Sequence, residues 1–174
     1  MKTQAMDKAN HDAASCVYPF ATTSIDRGYP STVDFQAVYD QSGRATGIRT
    51  RLAFDSRIRI SKVSGFATRS QRQHTFQISS HIHLFDCWFC GLISHSCEPN
   101  TLLDADYLEL WSLSPIQAGS LLTIDHAATA DVLPRQFACE CRMRNCRGWI
   151  KGRLEQINAE GLRYLDQWHL HHDR

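Results

Sequence analysis

The sequence predicts a mainly β domain that closes on a cysteine-rich knot and ends in a helix. Three observations predict it. Short runs of alternating apolar and polar residues recur between turn signals along the first two thirds of the chain. Two cysteine motifs follow, Ser94-His95-Ser96-Cys97-Glu98-Pro99-Asn100 and Cys139-Glu140-Cys141-Arg142-Met143-Arg144-Asn145-Cys146-Arg147-Gly148. Beyond them Leu154, Ile157, Gly161, Leu165 and Trp168 fall on one stripe at helical spacing.

The elements come in order. Residues 1–16 are polar and small, without periodicity, and are expected to form a mobile arm. Residues 33–39 alternate and run into Asp40-Gln41-Ser42-Gly43, a strand entering a hairpin turn. Ala45-Thr46-Gly47-Ile48-Arg49-Thr50 is the returning segment. Residues 57–65 have period two and predict a half-buried strand. Residues 64–74 predict a polar loop, and 75–79 another strand. His81 and His83 stand two apart, on one face if that strand continues; such a pair can bind a metal, or simply occupy a polar face. Cys87-Trp88-Phe89-Cys90 has C-x-x-C spacing, but its bulky centre suits buried structural thiols. Residues 106–113 and 120–125 predict two more strands, separated by a turn at Pro115–Gly119. From Arg153 the chain turns helical, with Gly161 weakening the helix by about 1 kcal/mol relative to alanine. His169, His171 and His172 add a weak metal signal near the end.

Three cysteines in C-x-C-x4-C, Cys139, Cys141 and Cys146, are one thiolate short of a tetrahedral site, and Cys97 supplies the fourth. Four thiolates make a closed site, so zinc here is structural and chemistry belongs beside it. Arg142, Arg144 and Arg147 surround the motif, and positive charge favours thiolates.

The two motifs resemble those of SET-domain methyltransferases. His95-Ser96-Cys97-Glu98-Pro99-Asn100 is similar to the family's N-H-S-C-x-P-N signature. Residues 117–126 are similar to its G-E-E-L-T-x-D-Y segment, and Cys139 to Gly148 to its post-SET motif. The resemblance is dense from about residue 92 to 150. It implies small curved sheets around a pseudoknot, S-adenosylmethionine bound beside the knot, and a narrow lysine channel leading to the opposite face. Divided on that basis, the chain has an N-terminal arm over 1–16, a SET-like domain over 17–130, a zinc-bound post-SET segment over 131–152 and a C-terminal helix and tail over 153–174.

The resemblance also assigns site residues, some of them altered. Gly47 falls in the family's glycine segment beside the cofactor, with Ala45 where the first glycine would be. Ser94 and His95 fall at the cofactor-binding Asn-His, with serine replacing the longer amide. Trp149 is a candidate lid over the cofactor. Val63 stands where the family often has a tyrosine. His126 replaces the tyrosine that lines the lysine channel. Histidine can serve as a base near neutral pH; it can equally pack or hydrogen-bond without chemistry.

Composition excludes some functions. At 174 residues with a formal charge of +1, the chain is long enough for one sizeable core and gives no general case for nucleic-acid binding. Seven cysteines cannot all pair, which fits zinc thiolates in a reducing compartment, cytoplasmic or nuclear. No signal-peptide pattern opens the sequence, and no run approaches the ~20 apolar residues of a membrane span. Three functions remain: a methyltransferase acting on a lysine-bearing protein, a divergent enzyme of the same fold acting on a small molecule through His126, and a non-catalytic binding module.

Overall fold

A computed structural model of the chain describes residues 14–172; the side chains of His169, His171 and His172 lie outside the described set. The arm expected over 1–16 is therefore seen only at its end. There it already belongs to the domain: Cys16 bridges Ser31, and the Ser15 and Thr32 hydroxyls are 3.0 Å apart.

Twelve short strands build the domain: β1 (Phe35–Tyr39), β2 (Ala45–Thr50), β3 (Arg59–Lys62), β4 (Phe66–Thr68), β5 (Thr75–Ser79), β6 (Ile82–Phe85), β7 (Ser94–His95), β8 (Thr101–Asp104), β9 (Glu109–Ser112), β10 (Thr123–Ile124), β11 (Phe137–Ala138) and β12 (Trp149–Ile150). A four-residue helix α1 (His126–Thr129) follows β10, and α2 (Ala159–His172) closes the chain. Among the described residues the strands form five small sheets: β1-β2, β3-β9-β8, β4-β6-β5, β11-β12, and the pair β7-β10, which is parallel.

Two expectations about the strands change. Residues 64–74 are not all loop: β4 pairs with β6 there. The strand expected over 106–113 is the second half of a hairpin, β8 and β9, whose turn is made by Leu108 at φ 53. A left-handed backbone at a leucine carries no glycine or asparagine to announce it.

The sheets enclose one apolar core that includes Phe35, Ile48, Phe76, Phe89, Leu110 and Leu122. Phe89 is fully buried, and each such side chain contributes about 1.5–3 kcal/mol. A smaller core of Ala130, Leu133, Cys139 and Ile150 joins α1 to the cysteine segment.

A buried carboxylate ties the N-terminal segment to this core. Asp86 is fully buried and accepts the backbone N–H groups of Trp88 and Phe89 on Oδ1 and of Cys90 on Oδ2. Tyr18 donates its hydroxyl to Oδ2 at 2.7 Å. Burial pushes the Asp86 carboxyl up, and those donors oppose it. The C-x-x-C spacing thus serves a capped turn, with Cys90 buried and Trp88 packed edge-on against Phe20 at 5.2 Å. Asp86→Ala leaves three buried N–H groups without an acceptor, and a cost of about 3 kcal/mol is expected. Thermal unfolding should then drop by about 6–12 °C for a domain of this size; a shift under about 2 °C would show the carboxylate to be dispensable.

The C-terminal helix begins at Ala159, not at Arg153. Asn158 caps it, accepting the Gly161 N–H on Oδ1 at 2.8 Å. Upstream, Glu155 accepts from the backbone N–H groups of Gly152 and Leu133, which holds residues 152–155 in a turn. Leu154, expected on the buried stripe, is 76% exposed.

Candidate functional site

The parallel pair β7-β10 places the two family-like motifs side by side, with Ser94 opposite Thr123 and His95 opposite Ile124. Asn100 stitches them together. Its amide donates to the Leu121 carbonyl at 2.8 Å, and its side-chain oxygen accepts the Thr123 N–H at 2.8 Å. The C-terminal segment then crosses the Cys97 loop. Asn145 donates its N–H to Glu98, and Arg147 donates its N–H to the Cys97 sulfur at 3.3 Å.

That crossing gathers four sulfurs. Cys97, Cys139, Cys141 and Cys146 lie within 4.8 Å of one another, and Cys97 Sγ is 3.7 Å from Cys139 Sγ. Tetrahedral thiolates at ~2.3 Å from a zinc ion are about 3.8 Å apart, so the cluster fits that ion in ligand type, number and spacing. Among the described residues it is the one group of three or more histidine, cysteine or acidic side chains placed to hold a metal. His81 and His83 gain no third partner of that kind; they border a shallow recess with Arg69 and Ser80.

Beside the cluster lies a cleft of about 620 Å³, a size that suits a cofactor. Ser94, His95 and His126 line it, with Ala45 and Thr46 of β2, and Phe76, Ile93, Leu133 and Phe137 give it apolar walls. Arg44 and Arg135 also line it. Gly47 sits behind this wall: a β-carbon there would stand 2.9 Å from the Ser94 hydroxyl. That hydroxyl donates to the Thr46 carbonyl at 2.5 Å. The serine thus spans from β7 to β2, where a longer side chain would meet the strand.

His95 and His126 share one tautomer, with the proton on Nε2. His95 Nδ1 accepts the His126 backbone N–H at 3.2 Å, so its proton is on Nε2, which faces Cys97 Sγ at 3.5 Å. Burial pushes the His95 imidazole down to about 4, the neighbouring His126 acts in the same direction, and Asp125 opposes them. His126 donates from Nε2 to the Ile93 carbonyl at 3.1 Å. Among the described residues no protein group bonds its Nδ1, which keeps the lone pair. Burial lowers the His126 pKa as well, so the ring is neutral at pH 7.

Comparison with known proteins now bears on this arrangement. No protein-family model matches the chain. Residues of this chain are 34% identical over 76 positions to the histone-lysine N-methyltransferase Set2 of Drosophila melanogaster, a match covering 40% of this chain and 3% of that protein. Among solved structures, KRYPTONITE in complex with mCHH DNA, H3(1-15) peptide and SAH superposes with a TM-score of 0.52 at 19% identity, over 66% of this chain and 29% of that one. The methyltransferase domain of human histone-lysine N-methyltransferase SETMAR superposes with a TM-score of 0.51 at 17% identity, over 68% and 58%. The chain has the SET-domain fold. It spans less than two thirds of the length of each of these chains.

Within this fold the expected site residues divide. Ser94, His95 and His126 meet in the cleft, Gly47 backs its wall, and the four cysteines meet beside it. Trp149 does not join them. It is 6% exposed, and its indole N–H donates to Gln136 at 3.0 Å. A β-carbon on Gly161 would stand 2.4 Å from Trp149 Nε1. Gly161 therefore exists to let α2 lie against the indole, and Trp149 packs a helix where a lid was expected. Gly161→Ala should lower stability even though alanine favours helix by about 1 kcal/mol; a gain in chemical-denaturation midpoint would overturn that contact.

Sequence reasoning missed two groups at the site. Asp125 caps α1, accepting the Ala127 N–H at 3.0 Å, and takes the Arg147 guanidinium at 2.6 Å. Phe137 flanks both imidazoles, 5.6 Å from His95 and 6.1 Å from His126. The Asp125 cap was legible as an acid before a short apolar run. The Phe137 contact was not, because it joins segments distant in sequence.

Proposed function

We propose that this chain is a SET-type methyltransferase that uses S-adenosylmethionine and acts on a lysine or similar amine acceptor, with one Zn2+ held by Cys97, Cys139, Cys141 and Cys146. One observation carries the reading: Ser94, His95 and His126 line a single cofactor-sized cleft directly beside the cysteine cluster. The names of the relatives support it, since one is a histone-lysine methyltransferase and another was solved with a histone peptide and SAH. Reduced thiolates fit a reducing compartment, and no helix among the described residues is long and apolar enough to cross a membrane.

When bound, S-adenosylmethionine supplies a methyl group on a sulfonium. The chain's residues hold and orient. Thr46, Ser94 and His95 form the polar side of the cleft, and Phe76, Leu133 and Phe137 form its apolar walls. A second recess of about 400 Å³ also borders α1, and Thr129 lines both. Asp106 and Asp131 offer it carboxylates, although Arg153 already pairs with Asp131 at 2.9 Å. We assign the acceptor's cationic side chain to this recess. Where the acceptor nitrogen passes from this recess into the cleft, His126 Nδ1 is the group available to take its proton so that a neutral amine is presented. Most of the rate gain would come from alignment of acceptor and methyl donor in the cleft.

The free Nδ1 of His126 also favours a second reading, a small-molecule acceptor deprotonated by the same nitrogen. Calorimetric titration of S-adenosylmethionine into zinc-loaded protein tests the common part. Binding at micromolar to tens of micromolar concentration is expected, and no heat at millimolar cofactor would overturn methyl transfer by this cleft. Methyl incorporation into histone-tail peptides then separates the two acceptors.

A further inference from the structure

The Cys97 sulfur is the meeting point of two hydrogen-bonded paths that end on the same short helix. Along the first, His95 Nε2 faces Cys97 Sγ at 3.5 Å, and His95 Nδ1 accepts the backbone N–H of His126, the first residue of α1. Along the second, Arg147 approaches Cys97 Sγ through its backbone N–H at 3.3 Å and its Nε–H at 3.4 Å. The same guanidinium donates through Nη2 to Asp125, the residue that caps α1. From this anchored turn His126 reaches Ile93 and lines the cleft.

Three N–H groups converging on one sulfur need a strong, fixed acceptor. A metal-bound thiolate is one; a cysteine sulfur without a metal is a weak acceptor on a free rotor. The tautomers make the chain directional. His95 can accept from His126 only while its proton stays on Nε2, and the sulfur is the group facing that proton.

We infer that His95 and Arg147 are positioning residues that couple metal loading at Cys97 to the placement of α1, and so to the position of His126 in the cleft. The inference rests on the reading that the four cysteines hold zinc and does not depend on methyl transfer. Loss of the metal loosens both ties at once, and the first turn of α1 loses its two anchors together. The cysteine site then acts on the cleft as well as on the fold.

Four measurements on the full chain test it, with wild type, His95→Phe, His95→Gln and Arg147→Met. Glutamine retains a donor and an acceptor on one side chain, so His95→Gln is the rescue variant, and Arg147 is exposed enough for Arg147→Met to fold. Zinc content of the wild type is measured first. Zinc release to excess chelator should be about 10–100-fold faster in His95→Phe and Arg147→Met, with His95→Gln nearer to wild type. In Co2+-substituted protein the thiolate-to-metal charge-transfer band should move in His95→Phe, which a purely structural role would not cause. The His126 amide should be protected from hydrogen exchange by metal in wild type and should lose that dependence in His95→Phe. A wild type that holds zinc, with variants that release it at the wild-type rate, an unmoved band and metal-independent exchange at His126, would overturn the coupling and leave the zinc reading standing. A wild type that binds no zinc would overturn both.

Discussion

Cys97→Ser protein will purify with essentially no bound zinc, whereas wild type will carry about one ion per chain. The reason is geometric. Cys139, Cys141 and Cys146 come from one local segment, but Cys97 comes from the loop after β7 and is the ligand that joins the tail to the domain. Without it three thiolates remain, and an open coordination position replaces a closed site. A hydroxyl at 97 is a much poorer zinc ligand. The loss extends to the fold, because metal affinity that depends on a folded site is also folding free energy. Residues 139–150 are otherwise held by the two-residue pair β11-β12, a small core of Ala130, Leu133 and Ile150, the Trp149 contacts with α2 and Gln136, and the single ties of Asn145 to Glu98 and Arg147 to Asp125. The tail should therefore become protease-sensitive in Cys97→Ser and in chelated wild type, with cleavage confined to residues beyond about 131. Elemental analysis and limited proteolysis check the two halves. Full zinc content in Cys97→Ser would refute the four-cysteine assignment.

The cysteine cluster was legible in the sequence because C-x-C-x4-C is dense and local. Its fourth member was legible because Cys97 sits in a motif of its own. The strands were legible where alternation met a turn residue, as in β1 and β2. Leu108 hid the β8-β9 turn, and α1 was hidden because four residues are too few for a helical period. The Tyr18–Asp86 bond joins positions 68 apart, and nothing local announces it. Trp149 shows the opposite difficulty. Resemblance put it near the cofactor, while Gly161, read only as a weak point of the helix, is what makes room for the indole. The cleft itself was half legible: its residues could be named from motifs, but their tautomers and their bonds to the cysteine cluster required coordinates.

His126→Phe should lower turnover by about 10²–10⁴-fold if the imidazole moves the acceptor's proton, the range typical of general acid–base groups. Phenylalanine keeps the packing against Phe137 and removes Nδ1. It also removes the Nε2 donor to Ile93, so a structural contribution must be separated. The pH profile does that. Burial lowers the His126 pKa in the folded protein, so its base form is present at pH 7 and above. The wild-type rate should hold through neutrality and fall as pH drops through that lowered pKa. The His126→Phe protein should lose that acid limb while retaining a low, flatter rate. The same shift bears on stability with the same sign. The unfolded histidine gains its proton near pH 6.5 and the folded one only below that, so stability from this burial is present above pH 6.5 and is lost as pH falls. His126→Tyr supplies the phenol expected by resemblance, yet that ring is larger than imidazole and must enter between Ile93 and Phe137. If lysine methylation rises in His126→Tyr, histidine is a drifted position in a lysine channel. If it falls as far as in His126→Phe while cofactor binding is kept, Nδ1 itself is the base, and the acceptor is one that the imidazole deprotonates. Unchanged turnover and an unchanged acid limb in His126→Phe would remove His126 from the chemistry altogether.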